Sequence, residues 1–150
     1  MANNEAEKKL QEKMLAYRML ESRLNNMAKQ RDMIISKMME IQSTLMTVEE
    51  IERGSEDVLF PIGSAAYIRG KPTNKEKIIV EIGAGIVMEK TPTETKKLLE
   101  ERKKELELAA DSLGKEMQNI ASSMQKIEAD AQEMVIKAQK KQKFGVVSSE

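Results

Sequence analysis

Two long stretches with a heptad pattern, separated by a short segment without it, most constrain how this chain can fold. Apolar residues at alternating spacings of three and four are typical of a helix that buries one narrow face in a coiled coil. In the first stretch these seam positions are Tyr17, Leu20, Leu24, Met27, Ile34, Met38, Ile41, Leu45 and Val48. In the second stretch they are Leu99, Leu106, Ala110, Leu113, Met117, Ile120, Met124, Ile127, Ala131, Met134 and Ala138. Each seam therefore needs a partner helix.

The similar lengths of the two stretches and the compact segment between them decide which helices pair. A short connection returns the second helix alongside the first, so we expect one antiparallel coiled coil within the chain. A long parallel dimer is the alternative, and it would leave unmatched helices around the middle segment. Arg31 interrupts the first seam. Its long side chain either extends out of the seam, which we favour, or sets the register of the coil.

Capping signals give the helix boundaries. The first helix is predicted over residues 4–53, with Asn4 and Glu7 forming a capping box and Gly54 ending it. The second is predicted over residues 92–142, opened by Thr91, Pro92 and Glu94. Residues 143–150 have no period and are predicted to form a mobile tail.

Gly114 lies beside the second seam, inside a predicted helix. Glycine there costs roughly 1 kcal/mol relative to alanine. We therefore expect either close packing against the partner helix or a mild bend at this position.

The middle segment, residues 57–90, changes to a period of two and is predicted to form two β-hairpins. A tight turn with glycine in its first central position is expected at Gly63-Ser64, and a three-residue turn at Gly83-Ala84-Gly85. Such small hairpins cannot form a core of their own, and their edges offer unpaired backbone groups. We therefore expect other chains to cover them. The candidate oligomerisation residues are Val58, Phe60, Ile62, Tyr67, Ile68, Ile78, Val80, Ile82, Ile86 and Met88.

Composition excludes several classes of function. The chain has no His and no Cys, which removes the commonest general base, metal ligand and thiol nucleophile, so we expect no enzyme, cofactor or metal site. Gly70-Lys71-Pro72-Thr73 lacks the Ser/Thr and the first glycine of a phosphate-binding loop, which leaves no ATP site. A net charge of zero argues against nucleic acid and anionic membranes. The sequence shows neither the apolar region of a signal peptide nor an apolar run long enough to span a membrane, so we expect a soluble cytoplasmic protein.

Several apolar residues outside the seams fall near the predicted far end of the coil. They are Met14, Leu15, Met19, Val135, Ile136 and Phe144, called here the tip residues. Methionine is flexible and polarisable, which suits a surface that accepts many unrelated apolar sequences. As a group we interpret them as a site for unfolded polypeptide. Singly, each could equally be a scattered exposed apolar residue or a contact with a neighbouring subunit.

The middle segment also carries a family resemblance. Val58-Leu59-Phe60-Pro61-Ile62-Gly63, Ala66-Tyr67-Ile68 with Gly70-Lys71, and Val80-Glu81-Ile82-Gly83-Ala84-Gly85 followed by Val87-Met88-Glu89-Lys90 are similar to stretches of archaeal prefoldin α subunits. The order of elements also resembles the α subunits: two hairpins lie between the helices, whereas β subunits of that family have a single hairpin. The resemblance covers nearly the whole chain.

The resemblance implies a fold of the α+β class, a long antiparallel two-helix coiled coil joined by two β-hairpins that assemble into a multi-subunit β-barrel body. It implies a hetero-hexamer of two α and four β subunits. Such a complex is an ATP-independent holdase that binds unfolded polypeptide at the coil tips and delivers it to a group II chaperonin. The alternative is a structural or filament-forming relative that captures no clients. A nucleic-acid-binding coil is less favoured, since the basic stretch at residues 137–143 suits a helix C-terminus.

Overall fold

A computed structural model describes the backbone of residues 2–54 and 57–146, and the side chains of residues 4–54 and 57–140. Its elements are α1 (Ala2–Glu52), β1 (Val58–Gly63), β2 (Ala66–Gly70), β3 (Ile78–Gly83), β4 (Ile86–Lys90) and α2 (Pro92–Val146). The predicted order of helix, two hairpins and helix is therefore confirmed. The chain divides into a terminal unit, Met1–Asp32 with Asp111–Glu150, and a central unit, Met33–Ala110.

In the terminal unit, α1 and α2 are antiparallel and pack through their predicted seams. Met27, Ile120 and Met124 are buried at its centre. Around them pack Tyr17, Leu20, Leu24, Leu113 and Met117. Burying a side chain of this size stabilises a fold by about 1.5–3 kcal/mol. Lys13 pairs with Asp130 at 2.6 Å, and Arg23 pairs with Glu116. These pairs join the same turns of the two helices as the buried cluster does, although exposed ion pairs add little to stability.

In the central unit, the two helices are also antiparallel and pack through a buried cluster of their own. Ile41, Leu45 and Leu99 form it, and Leu106 packs against it. Two side-chain contacts join the helices beside this cluster. Lys103 donates a hydrogen bond to Gln42 at 2.6 Å, and Lys96 donates one to Glu52 at 2.5 Å.

Arg31 and Gly114 behave differently from each other. Arg31 is exposed, as expected for a long side chain that extends out of the seam. The expected close packing at Gly114 is wrong, because no atom lies within 4 Å of the position that a Cβ would occupy there. Gly114 thus carries the entropic cost of a helical glycine without a steric reason for it.

We expect Gly114→Ala to raise the free energy of unfolding by about 1 kcal/mol, because alanine loses less backbone freedom on folding and fits the open space. Urea unfolding followed by far-UV circular dichroism measures the change. Gly114→Val is a useful comparison, since its β-branched side chain recovers less helix propensity. A destabilising alanine substitution would contradict the open environment at this site.

The helix ends confirm some of the predicted caps and correct others. Gly54 has a φ of 93°, the left-handed conformation of a residue that follows a helix, and its N–H donates to the Ile51 carbonyl oxygen at 3.1 Å. At the other end, α1 begins at Ala2, so Asn4 lies inside the helix and not at its cap. The α2 helix continues to Val146, whereas the sequence predicted an end at residue 142. The strong helix formers of Gln139-Lys140-Lys141-Gln142-Lys143 carry it past the last seam residue.

The predicted capping box of α2 is present. The Glu94 backbone N–H donates to the Thr91 hydroxyl oxygen at 3.2 Å, and the Thr91 backbone N–H donates to the Glu94 carboxylate at 2.9 Å. The Thr91 hydroxyl donates to the same carboxylate. Buried Thr95 adds a bond from its hydroxyl to the Thr91 carbonyl oxygen at 2.9 Å. The start of α2 is therefore fixed directly after β4.

This box makes stability depend on pH in a predictable direction. The hydrogen bonds from Thr91 hold the pKa of the Glu94 carboxyl below its usual value. A group with a lowered pKa in the folded state stabilises the fold above its unfolded pKa of about 4.3, and this stabilisation is lost as pH falls through the folded value. Glu94→Gln should therefore destabilise the protein at neutral pH and make no difference in strong acid. Thermal unfolding at a series of pH values tests this, and a pH-independent effect would contradict it.

The two hairpins have the same geometry. Val58 lies opposite Gly70 in the first, and Ile78 lies opposite Lys90 in the second. In each hairpin the pairing shifts at one residue just before the turn, between Pro61 and Gly63 and between Glu81 and Gly83. Every residue of the second hairpin therefore has a counterpart 20 positions earlier, from Ile78 back to Val58.

The first predicted turn is wrong by one position, and the second has two residues and not the predicted three. Ser64 and Ala65 are the central residues of the first turn, with φ of 48° and 59°. Ala84 and Gly85 are the central residues of the second, with φ of 50° and 76°. Two left-handed central residues match the right-handed twist of the strands. Gly63 and Gly83 belong instead to the bulges, where their positive φ requires glycine.

Candidate assembly and client-binding surfaces

The apolar residues of the hairpins are mostly uncovered within the chain. Of the ten predicted oligomerisation residues, Val80 is buried and Val58 and Ile78 are half-buried. The exposed ones are Phe60, Ile62, Tyr67, Ile68, Ile82, Ile86 and Met88. Leu59, Ile79 and Val87 are also exposed, and the prediction missed them although strand alternation places them on the opposite face. Apolar residues are thus exposed on both faces of the strands.

No further strand pairs with the outer edges of the described strands. The described strands form two separate two-stranded sheets, β1 with β2 and β3 with β4. Each strand therefore has one edge without a strand partner in the described part of the chain. Such an edge is a template for pairing with another chain.

The first hairpin packs mainly on itself. A Cβ at Gly70 would lie 3.0 Å from Cε2 of the Phe60 ring, which shows how closely the ring approaches the Gly70 backbone. Arg69 and Asp57 form a loose ion pair at 3.9 Å. The aromatic ring therefore occupies the space that the glycine leaves open on the same hairpin.

The second hairpin is attached to α2. The Arg102 guanidinium donates a hydrogen bond to the Glu81 carbonyl oxygen. The Glu81 carboxylate in turn accepts a hydrogen bond of 3.2 Å from the Gly85 N–H in the turn. A groove of about 450 Å³ lies beside this contact. Its lining is Lys37, Ile41, Glu81, Gly83, Arg102, Glu105 and Leu106.

Two lysines of the central unit form ion pairs that raise their pKa values. Lys77 pairs with Glu89 across the second hairpin at 2.9 Å, and this hydrogen bond raises the pKa of Lys77. The hydrogen bond to Glu52 raises the pKa of Lys96, against the opposing effect of burial. Both lysines therefore stay charged at neutral pH.

In the described part of the terminal unit, three grooves run beside the seam. The first has a volume of about 310 Å³. Its lining is Lys13, Met14, Tyr17, Arg18, Ile127, Glu128 and Ala131. The second has a volume of about 170 Å³. Its lining is Ala6, Glu7, Leu10, Met134, Val135, Ala138 and Gln139. The third has a volume of about 430 Å³. Its lining is Met19, Ser22, Arg23, Asn26, Met27, Gln30, Leu113 and Glu116. Each of the three grooves is lined by both apolar and polar or charged residues.

The structure distributes the tip residues over different surfaces. Met14 lines the first groove and Val135 the second. Met19 is exposed and lines the third groove. Leu15 and Ile136 are exposed and line none of the three. The Phe144 side chain lies outside the described residues, although its backbone is part of α2.

Seam residues also contribute to these grooves, which the sequence did not indicate. Tyr17 and Ile127 are only partly buried and form part of the first groove. Leu10 has the same role in the second groove. The sequence could have indicated Leu10, because it lies seven residues, one heptad, before the seam residue Tyr17.

Among the described residues, no group of three or more Asp, Glu, His or Cys residues could hold a metal ion. Over residues 2–54 and 57–146, neither helix is apolar enough along its length to cross a membrane.

Comparison with known proteins gives consistent results. Residues 20–137 match the family described as "Prefoldin subunit". The prefoldin subunit alpha of Methanococcoides burtonii is 30% identical, over 75% of this chain and 83% of that protein. The prefoldin subunit alpha of Nitrosopumilus maritimus is 29% identical over 81% of both chains. That of Methanopyrus kandleri is 39% identical over 50% of this chain and 47% of its own length.

A solved structure shares the fold. The cryo-EM structure of filamentous PFD from Methanocaldococcus jannaschii superposes with a TM-score of 0.66 and 21% sequence identity. The match covers 76% of this chain and 96% of that one. Together with paired helices, twin hairpins and extensive sequence matches, these findings establish that the chain belongs to the prefoldin family of chaperones, as a subunit of the archaeal α type.

Proposed function

We propose that this chain is the α subunit of an ATP-independent holdase that acts in the cytoplasm. It assembles with β subunits, two α with four β, and binds unfolded polypeptide at the tip residues. The complex then passes its client to a group II chaperonin. The observation that carries the proposal is that the hairpins expose apolar residues on both faces, while the two helices bury apolar clusters against each other.

The hairpins support the assembly step. Exposed residues such as Ile62, Tyr67 and Val87 form apolar surface that a stable soluble chain rarely leaves open. Unpaired strand edges next to them can extend a sheet across subunits. A partner with a hairpin of its own satisfies both requirements at once.

The terminal unit supports the capture step. The groove that holds Met14 has an apolar floor and room for a side chain. Leu15, Met19 and Ile136 add exposed apolar contacts outside it. Shallow contacts of this kind are individually weak, so several subunits must bind one client together, and the client can leave without ATP.

Mixing the chain with a single-hairpin prefoldin β subunit tests the proposal. Native mass spectrometry should find a discrete hexamer with two α and four β chains. That hexamer should suppress the aggregation of a denatured model protein and release it when a group II chaperonin is added. A complex that forms but neither suppresses aggregation nor releases the client would contradict the holdase function.

A filament-forming subunit is the second candidate. The solved structure with the same fold is described as filamentous, and this favours considering it. Hairpins with open edges can also join chains end to end without closing a ring. Electron microscopy of the chain alone and with the β subunit separates the two: open-ended fibres without aggregation suppression would support the filament.

A further inference from the structure

The two hairpins have the same register but different attachments to the rest of the chain. In the second hairpin, Val80 is only 9% exposed, and the Glu81 carbonyl oxygen accepts a hydrogen bond from Arg102 of α2. In the first hairpin, the counterpart of Val80 is Phe60, which is 39% exposed. The counterpart of Glu81 is Pro61, and within the described residues no helix side chain donates a hydrogen bond to it.

The turn of the second hairpin is also held by a side-chain hydrogen bond that, among the described residues, the first turn lacks. In the second hairpin, the Glu81 carboxylate accepts a hydrogen bond from the N–H of Gly85. Proline at position 61 has no carboxylate to do the same for Ala65. Ala65 also adopts a left-handed φ of 59°, where Gly85 stands in the second turn. A residue with a Cβ is disfavoured in that conformation, and glycine is not.

We propose that Arg102 is a positioning residue for assembly, which fixes the second hairpin on α2 in the orientation that a partner subunit's hairpin binds. The inference rests on the proposed assembly. The second hairpin is then preorganised for docking, and the first becomes ordered when a partner chain covers Phe60 and its neighbours. A preorganised element binds more tightly because less conformational freedom is lost on binding.

Arg102 suits this role for a chemical reason. Its planar guanidinium has several donors in a fixed arrangement, and one of them reaches a backbone carbonyl, so the bond holds whatever side chain stands at position 81. Arg102 is half-buried and lines the groove with Leu106 and Gly83. The α2 seam around Leu99 is closed, so this helix is a rigid support for the hairpin.

Hydrogen exchange of the chain alone, followed by assembly with a β subunit, tests the proposal. Arg102→Met should increase amide exchange in residues 78–90 about tenfold and leave residues 58–70 unchanged, since a hydrogen bond from a charged donor is lost at one hairpin only. The same variant should raise the Kd for the β subunit by about tenfold. Arg102→Lys retains a charged donor and should recover part of both effects.

Lys103→Met is the matched control. Lys103 is the neighbouring cation on α2, equally half-buried, but it bonds to Gln42 of α1 and not to a hairpin. We expect it to leave hairpin exchange and the Kd unchanged. If Arg102→Met leaves exchange in residues 78–90 unchanged, or raises it by the same factor in residues 58–70, the positioning role is overturned, even with normal assembly. If the wild-type chain fails to bind any β subunit, the proposed assembly itself fails, and the exchange measurement still decides whether Arg102 fixes the hairpin.

Discussion

Replacing Met14, Leu15, Met19 and Ile136 together with serine should weaken client capture by about tenfold or more while leaving the hexamer intact. Residues that anchor an interface each contribute upwards of about 1 kcal/mol, and four of them act together here. None of the four is buried in the seam, so the coil keeps its packing. The measurement is the concentration of hexamer that halves the light scattering of an aggregating model client.

The matched control replaces Met33, Met39, Met46 and Leu108 with serine. These residues have the same chemistry and similar exposure, for example 69% for Met39 against 66% for Met19, but they belong to the central unit. We expect this variant to suppress aggregation normally. If both variants lose activity equally, exposed apolar residues act without regard to position. If neither does, the tip residues do not bind clients.

Truncating the seam should have the largest effect on stability. Ile120 is 7% exposed and lies at the centre of the cluster with Met27 and Met124. Ile120→Ala should lower the free energy of unfolding by about 2–5 kcal/mol, through lost burial and the cavity that remains. Chemical unfolding monitored by circular dichroism measures it.

Leu108→Ala on the same helix is the control for that experiment. Leu108 is 71% exposed, so its truncation should change stability by no more than about 0.5 kcal/mol. Comparable losses at positions 108 and 120 would mean that the seam does not pair as described. A destabilised Ile120→Ala chain that regains stability with its β partner would show that assembly supplies part of the folding free energy.

The pairing of the helices could be predicted from the sequence because heptads require it. Residues such as Leu45 and Leu99 can avoid water only by packing against another seam, and the short middle segment brings the two seams together. The hairpins could also be predicted, since glycines and the alternating pattern occur together. Their turns could not, because Gly63 and Gly83 serve equally well in a bulge or in a turn, and cross-strand pairing decides between them.

Other features depend on distances that a sequence pattern does not contain. Arg102 and Glu81 are 21 residues apart in sequence, and their hydrogen bond depends on the orientation of the hairpin relative to α2. The grooves arise where Tyr17 and Ile127 are only partly covered, although both occupy seam positions. Gly114 suggested close packing, yet the structure has open space there. Spacing therefore indicates which faces meet and not how closely.

The equal register of the hairpins has an evolutionary consequence. Gly70 occupies in the first hairpin the place that Lys90 occupies in the second, immediately before Thr91. An in-frame loss of residues 71–90 would therefore join Gly70 to Thr91 at an equivalent junction and leave one complete hairpin between unaltered helices. In a chain with one hairpin, a tandem duplication of the 20 residues that contain it would produce the second hairpin. A chain with one hairpin and a chain with two can therefore differ by the insertion or loss of one 20-residue segment.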